Sequence, residues 1–227
     1  MTLRQAALVA GIGLLIMVLA APFAEFAVYA RVVIPGNIEE TVQSILAHKG
    51  LFLAGVFCYL ITFICDVLVA WALFVLLAPT NRSVSLLTAW FRLVHTVIAL
   101  SGLVKVVTAF RLLDTPHRGP ALGSDPLHAQ VELLLNSFRY EWSFSLVFFA
   151  IHLGLLGYLV YRSGYIPRIL GILLAIAGSG HLVYCLGPYL YPNADVRFLM
   201  ITFFGDLIFM LWLLVRGWRI QEPTVHP

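Results

Sequence analysis

Apolar residues run through the 227-residue chain in six long stretches separated by short polar connections, and it is the length of each stretch that predicts structure. A helix needs about 20 mostly apolar residues to cross hydrocarbon about 30 Å thick. Spans are expected at about 6–34, 51–78, 84–113, 131–161, 168–190 and 197–216. Helices satisfy their own backbone polar groups in lipid, so the expected fold is all-α. It is a polytopic membrane protein, one domain over residues 1–227 built as a bundle of six transmembrane helices. Arg4 ahead of an apolar core, with Ala20 and Ala21 behind it, also suggests a signal peptide. Length argues against that, because the apolar run continues to Ile34, interrupted only by Glu25 and Arg31.

The connections have patterns of their own. After Pro35 and Gly36, Asn37 can cap a short helix with Glu40 at its third position, as in a capping box. Ile38, Val42, Ile45 and Leu46 would then share one face, as in a helix lying in the membrane interface. The stretch from Asp114 to Gln130 reads as a solvated loop, and its His117 and His128 are too few to fix a metal. Gly171, Ala175 and Ser179, one turn apart, mark a face for close helix approach. Pro22 and Pro188 free the carbonyls of Val18 and Tyr184. Tyr29, Tyr189 and Tyr191 at one boundary, and Tyr161, Tyr165 and Trp218 at the other, fit aromatic belts. Cys58 and Cys65 lie seven residues apart on one helix, about 10 Å, which is too far for a disulfide; with Cys185 they read as small buried residues.

Composition agrees with the spans. Hydrophobic residues make up 61% of the chain and charged ones 11%, which does not describe a soluble globular domain. The net charge of +3 is spread over short loops, without the basic run that nucleic-acid binding requires. Six spans put both termini on one side. With that side cytoplasmic, it carries Arg4, Arg82, Arg162, Arg168, Arg216 and Arg219 against Arg31, Lys49, Arg111, Arg118 and Arg197 outside. The Arg-dense inner connections are also the shorter ones, so both termini are expected in the cytoplasm.

Ionisable residues inside the spans are the main chemical signal. Counted from the inner end of each span, Asp66, Arg92, His95, His152, His181 and Asp206 lie roughly 12 to 20 Å deep, near the midplane. Glu25, Lys105, Arg139 and Glu141 lie about 29 to 33 Å deep, where long side chains can snorkel to the outer interface. They could also form a salt-bridged lid. Two Asp and one Arg left unpaired at midplane would together cost about 8 to 10 kcal/mol, so the inner set is expected to converge. Tyr59, Thr62 and Asp66 form one stripe, Glu141, Ser145 and His152 another, and Thr202 lies a turn before Asp206.

Several readings follow for the inner set. In one, the six residues line a cavity that binds or moves a small molecule, lipid or ion, with Arg92 meeting an anionic group and the Asp and His residues handling protons. In another, His95, His152 and His181 ligate a metal or haem. That set lacks any paired-ligand spacing, so no metal, haem or other cofactor is predicted. In a third, the protein is a sensor or structural membrane protein. Arg92 pairing with Asp66 or Asp206 would then only set helix packing. No catalytic motif is present, which makes an enzyme the lesser reading. Membrane lipids are the expected partners, and the oligomeric state is open.

Four phrases go further: Val33-Ile34-Pro35-Gly36-Asn37, Trp90-Phe91-Arg92-Leu93-Val94, Gly157-Tyr158-Leu159 with Arg162 through Gly171, and Leu211-Trp212-Leu213-Leu214-Val215. With them the chain resembles the bacterial membrane proteins grouped as domain of unknown function 4386. The resemblance implies a bacterial inner-membrane protein and supplies no reaction or substrate. It also implies that Arg92 and His152 match the family pattern, whereas the position of His95 is often acidic and that of His181 often not His. The turn from Ser163 to Arg168 is explained by Gly164 and Pro167 turning the chain and by Arg162 and Arg168 holding it inside. The same two arginines suggest an alternative, a site for an anionic lipid headgroup.

Overall fold

The computed structural model describes residues 1–114, 124–190 and 201–220. Among the described residues it is helical without a strand: α1 (Leu3–Pro22), α2 (Ala30–Val32), α3 (Ile38–Ala47), α4 (Lys49–Leu77), α5 (Arg82–Asp114), α6 (Ser124–Ser163), α7 (Arg168–Leu190) and α8 (Phe204–Arg216). Six stretches are long and apolar enough to cross a membrane: Leu3–Val32, Lys49–Leu77, Arg82–Asp114, Asp125–Ser163, Arg168–Gly187 and Ile201–Arg219. Large apolar side chains stand exposed along them, among them Ile12, Phe57, Trp71, Trp90, Val97 and Leu133. Such a surface suits lipid. The protein is a multi-pass membrane protein.

The ends of the helices depart from expectation in three places. Residues 124–130, expected in a loop, form the first turns of α6, so His128 is helical. Pro126 is compatible with that, because the first turn has no intrahelical use for the missing N–H. In the last span a 3₁₀ turn over 201–203 precedes α8, which begins at Phe204, and the expected start at 197 lies outside the described residues. In the first, Pro22 interrupts the bonding and the chain continues as a π-helix over Phe23–Tyr29, a wider turn of the kind that a broken ladder produces. His117, Arg118, Tyr191 and Arg197 lie outside the described residues, as does the side chain of Tyr189.

The chain divides into two compact units, one of Met1–Leu15, Cys65–Thr96 and Ser143–Pro227, the other of Ile16–Ile64 and Val97–Trp142. In the first unit, glycines let helices touch backbone to backbone. A Cβ on Gly171 would lie 2.6 Å from the Gly157 carbonyl oxygen, and one on Gly178 2.7 Å from that of Ala150. The contact face of α7 therefore runs through Gly171, Ala175 and Gly178. Ser179, expected on it, is exposed and bonds back to the Ala175 carbonyl. Asn81 starts α5 by accepting the Val84 N–H at 3.1 Å. Gly164 turns the chain between α6 and α7 at φ 75°, a conformation that glycine adopts freely. Tyr165, expected in a belt, is tied down, donating its hydroxyl to the Leu76 carbonyl at 2.6 Å. Burial pushes its phenol up from the usual value, which keeps it a neutral donor.

In the second unit, Asn37 caps α3 as expected, accepting the Glu40 N–H at 3.1 Å. Its own N–H goes to the Ile34 carbonyl, so only half of a capping box forms. Thr41 completes the turn, its hydroxyl donating to the carbonyls of Asn37 and Ile34 and accepting the Ile34 N–H. Val42 and Ile45 pack into the unit's core, whereas Leu46 points out at 38% exposure. Tyr29 is buried rather than in a belt, with its hydroxyl on the Leu135 carbonyl.

Candidate functional site

The division of the chain separates the two sets of charges. Asp66, Arg92, His95, His152, His181 and Asp206 all belong to the first unit, and Glu25, Lys105, Arg139 and Glu141 all belong to the second.

Arg92 on α5 is the hub of the inner set. Its Nε and Nη2 both reach Asp66 Oδ1, at 2.7 and 2.6 Å, and the two side chains are 2% and 1% exposed. The Thr96 hydroxyl, one turn along α5, donates to the other Asp66 oxygen and is itself buried. On the far side, Arg92 Nη1 lies 3.1 Å from His152 Nε2, and His152 Nδ1 lies 2.8 Å from the Thr88 carbonyl. A guanidinium only donates and a carbonyl only accepts. Hence His152 is neutral, with its proton on Nδ1. Asp66, Arg92, Thr96, His152 and Thr88 thus form a closed network across α4, α5 and α6 in which the charges are paired.

Phe149 organises the rest. Its ring centroid lies 5.1 Å from that of His95, 5.7 Å from His152 and 5.5 Å from His181, with the Arg92 guanidinium carbon 5.4 Å from it. His181 also stacks on Phe203 at 3.7 Å and directs Nδ1 to the Ala177 carbonyl of its own helix. The three histidines are therefore gathered around a phenyl ring. Among the described residues no group of three or more His, Cys, Asp or Glu is placed to hold a metal ion.

Asp206 differs from Asp66 in both position and partners. It lies in the first turn of α8, where the amide end of the helix favours negative charge. Its Oδ1 is buried without a hydrogen-bond partner among the described residues, although the charge of Arg92 reaches it. Arg92 was a candidate for meeting an anionic ligand. In the structure its guanidinium is engaged by Asp66, His152 and the face of Phe149.

The outer set forms looser pairs. Lys105 pairs with Glu141, whose second oxygen is buried without a hydrogen-bond partner among the described residues. Tyr59 donates to Glu25 at 2.5 Å, and Arg139 reaches Glu25 at 3.8 Å while lying 5.1 Å from the Tyr29 ring centre. The predicted stripes divide accordingly, with Tyr59 and Thr62 in the second unit and Asp66 in the first.

Sequence reasoning missed Phe149, Thr88 and Thr96. The two threonines had a signal, since Thr88, Arg92 and Thr96 recur at every fourth residue on one helix face. Phe149 had none, because an aromatic residue in an apolar span resembles its neighbours.

No solved structure matches the chain. It is 34% identical over 195 residues to a protein of Archaeoglobus fulgidus described as uncharacterized, covering 84% of this chain and 94% of that one. Residues 9–217 match the family described as Domain of unknown function (DUF4386). That match takes in both units' charge clusters, and the chain belongs to the DUF4386 family.

Proposed function

We propose that the protein binds a small cationic or proton-donating ligand within the membrane at Asp206, with the Asp66–Arg92–His152 network as the fixed wall of that site. One observation carries this reading: the buried Oδ1 of Asp206 has no hydrogen-bond partner among the described residues, whereas both oxygens of Asp66 are engaged. Ionisable groups inside membranes are retained against a free-energy cost and normally have a partner. An acid in this position suits a ligand that brings the missing donor, such as an amine. Native mass spectrometry of the purified protein tests this. A retained small ligand is expected on the wild type and lost from Asp206→Asn at unchanged melting temperature. A wild type that carries no ligand, or a variant that keeps it, contradicts the reading.

The reading extends to location, in a bacterial inner membrane with both termini cytoplasmic. The family resemblance supports the first part and the short Arg-rich connections the second. A cysteine introduced as Thr2→Cys is then labelled by an impermeant maleimide only after spheroplasts are lysed. Labelling of intact spheroplasts reverses the orientation.

A further inference from the structure

At one end of the first unit the turn between α6 and α7 meets the end of α8 around a cleft of about 560 Å³. Arg168, Arg216 and Arg219 line it, with Tyr165 and Trp212 in its walls. Its volume falls within the range typical of small-molecule sites. Three guanidinium groups around one cleft repel one another unless an anion lies between them. Among the described residues that anion is not a carboxylate: the ion pairs are Lys49–Asp114, Arg92–Asp66, Lys105–Glu141 and Arg139–Glu25.

Two of the arginines lie on ring faces, with no hydrogen bond from either guanidinium among the described residues. The Arg168 guanidinium carbon lies 5.6 Å from the centre of the Tyr161 ring, and that of Arg219 4.6 Å from the centre of the Trp218 ring. Contact with a ring face orients a guanidinium and leaves its N–H edge for a planar or tetrahedral oxyanion. The wall is fixed from behind. Arg4 Nε donates to the Ile220 carbonyl at 2.9 Å, Trp218 Nε1 donates to the Val215 carbonyl at 2.8 Å, and Tyr165 is tied to Leu76. Arg168 also opens α7, so the first-turn amides of a 23-residue helix lie beside the cleft.

We infer that this cleft binds a phosphate-bearing anion through Arg168, Arg216 and Arg219. The inference is independent of the Asp206 site. It replaces the pair Arg162 and Arg168 suggested by the turn, because Arg162 does not line the cleft and two arginines from the segment Ile201–Arg219 do. Phosphate chemistry is favoured because the three guanidiniums offer several forked N–H pairs, and phosphate presents acceptor oxygens on more than one side. A lipid headgroup and a free phosphate share that chemistry.

Two measurements on the full chain in detergent distinguish the sources. Native mass spectrometry reads retention of phosphatidylglycerol against phosphatidylcholine, and calorimetry reads binding of inorganic phosphate after delipidation. Selective retention of phosphatidylglycerol without phosphate binding assigns a lipid headgroup, whereas phosphate binding assigns a free anion. Either supports the site, provided that Arg216→Gln with Arg219→Gln weakens binding at least about tenfold. Arg216→Lys keeps the charge and serves where the double variant fails to fold, with an expected loss of several-fold from the broken fork. Retention of both lipids alike with no phosphate binding overturns the inference. So does binding unchanged in the folded arginine variants, which would leave these residues only their role in holding the turn on its side of the membrane.

Discussion

Both units place charged residues on apolar helices, yet they treat the charge differently. In the first, Asp66 and Arg92 are almost completely enclosed, and the pair is closed by Thr96 and His152. In the second, Lys105 and Glu141 are 35% and 25% exposed, and Arg139 and Glu25 51% and 41%. Enclosure raises the penalty of losing one partner, because the remaining charge is left without water or a counter-ion. Partial exposure lets the remaining partner turn elsewhere, so the pair contributes little. The first cluster is thus a structural joint among α4, α5 and α6, and the second is a set of adjustable contacts.

The largest effect is expected where the joint is broken. Arg92→Ala should lower stability by about 3–5 kcal/mol, read from denaturant or thermal unfolding in detergent. The double variant Asp66→Leu with Arg92→Met should recover much of that loss, since no buried charge remains. A single variant that melts like wild type would remove the distinction between the units. Lys105→Met should cost no more than about 1 kcal/mol in the same assay. A loss as large as that of Arg92→Ala would make the second unit's pair equally structural. Asp206→Asn is expected to leave stability within about 0.5 kcal/mol of wild type, since Oδ1 has no hydrogen bond to lose among the described residues. A large loss would reveal a structural partner and place Asp206 with Asp66.

The local devices were legible where one residue does one thing. Asn37 announces its cap by type and position. Gly36 and Gly164, each within a family phrase, are the positive-φ residues among the described ones. Pro22 announced a break in the ladder but not how the chain would absorb it, which a π-helix answers. The partner of Arg92 was open between two acids because both lie at similar depth. Rotation of the helices about their axes decides the matter, and spans apolar on every face reveal little of that rotation. Tyr29 shows the same limit, since a tyrosine near a span's end suits a wet interface and a buried hydroxyl equally well.

By itself the sequence determined that the chain crosses the membrane repeatedly, roughly where it does so, and which residues are too costly to leave facing lipid. These follow from length, composition and charge, which act residue by residue. Tertiary structure alone decided that Asp66 and not Asp206 neutralises Arg92, that Phe149 stands among three histidines, and that Arg216 and Arg219 join Arg168 around one cleft. Each depends on side chains from helices far apart in the chain meeting at a given rotation and height, which interhelical packing sets.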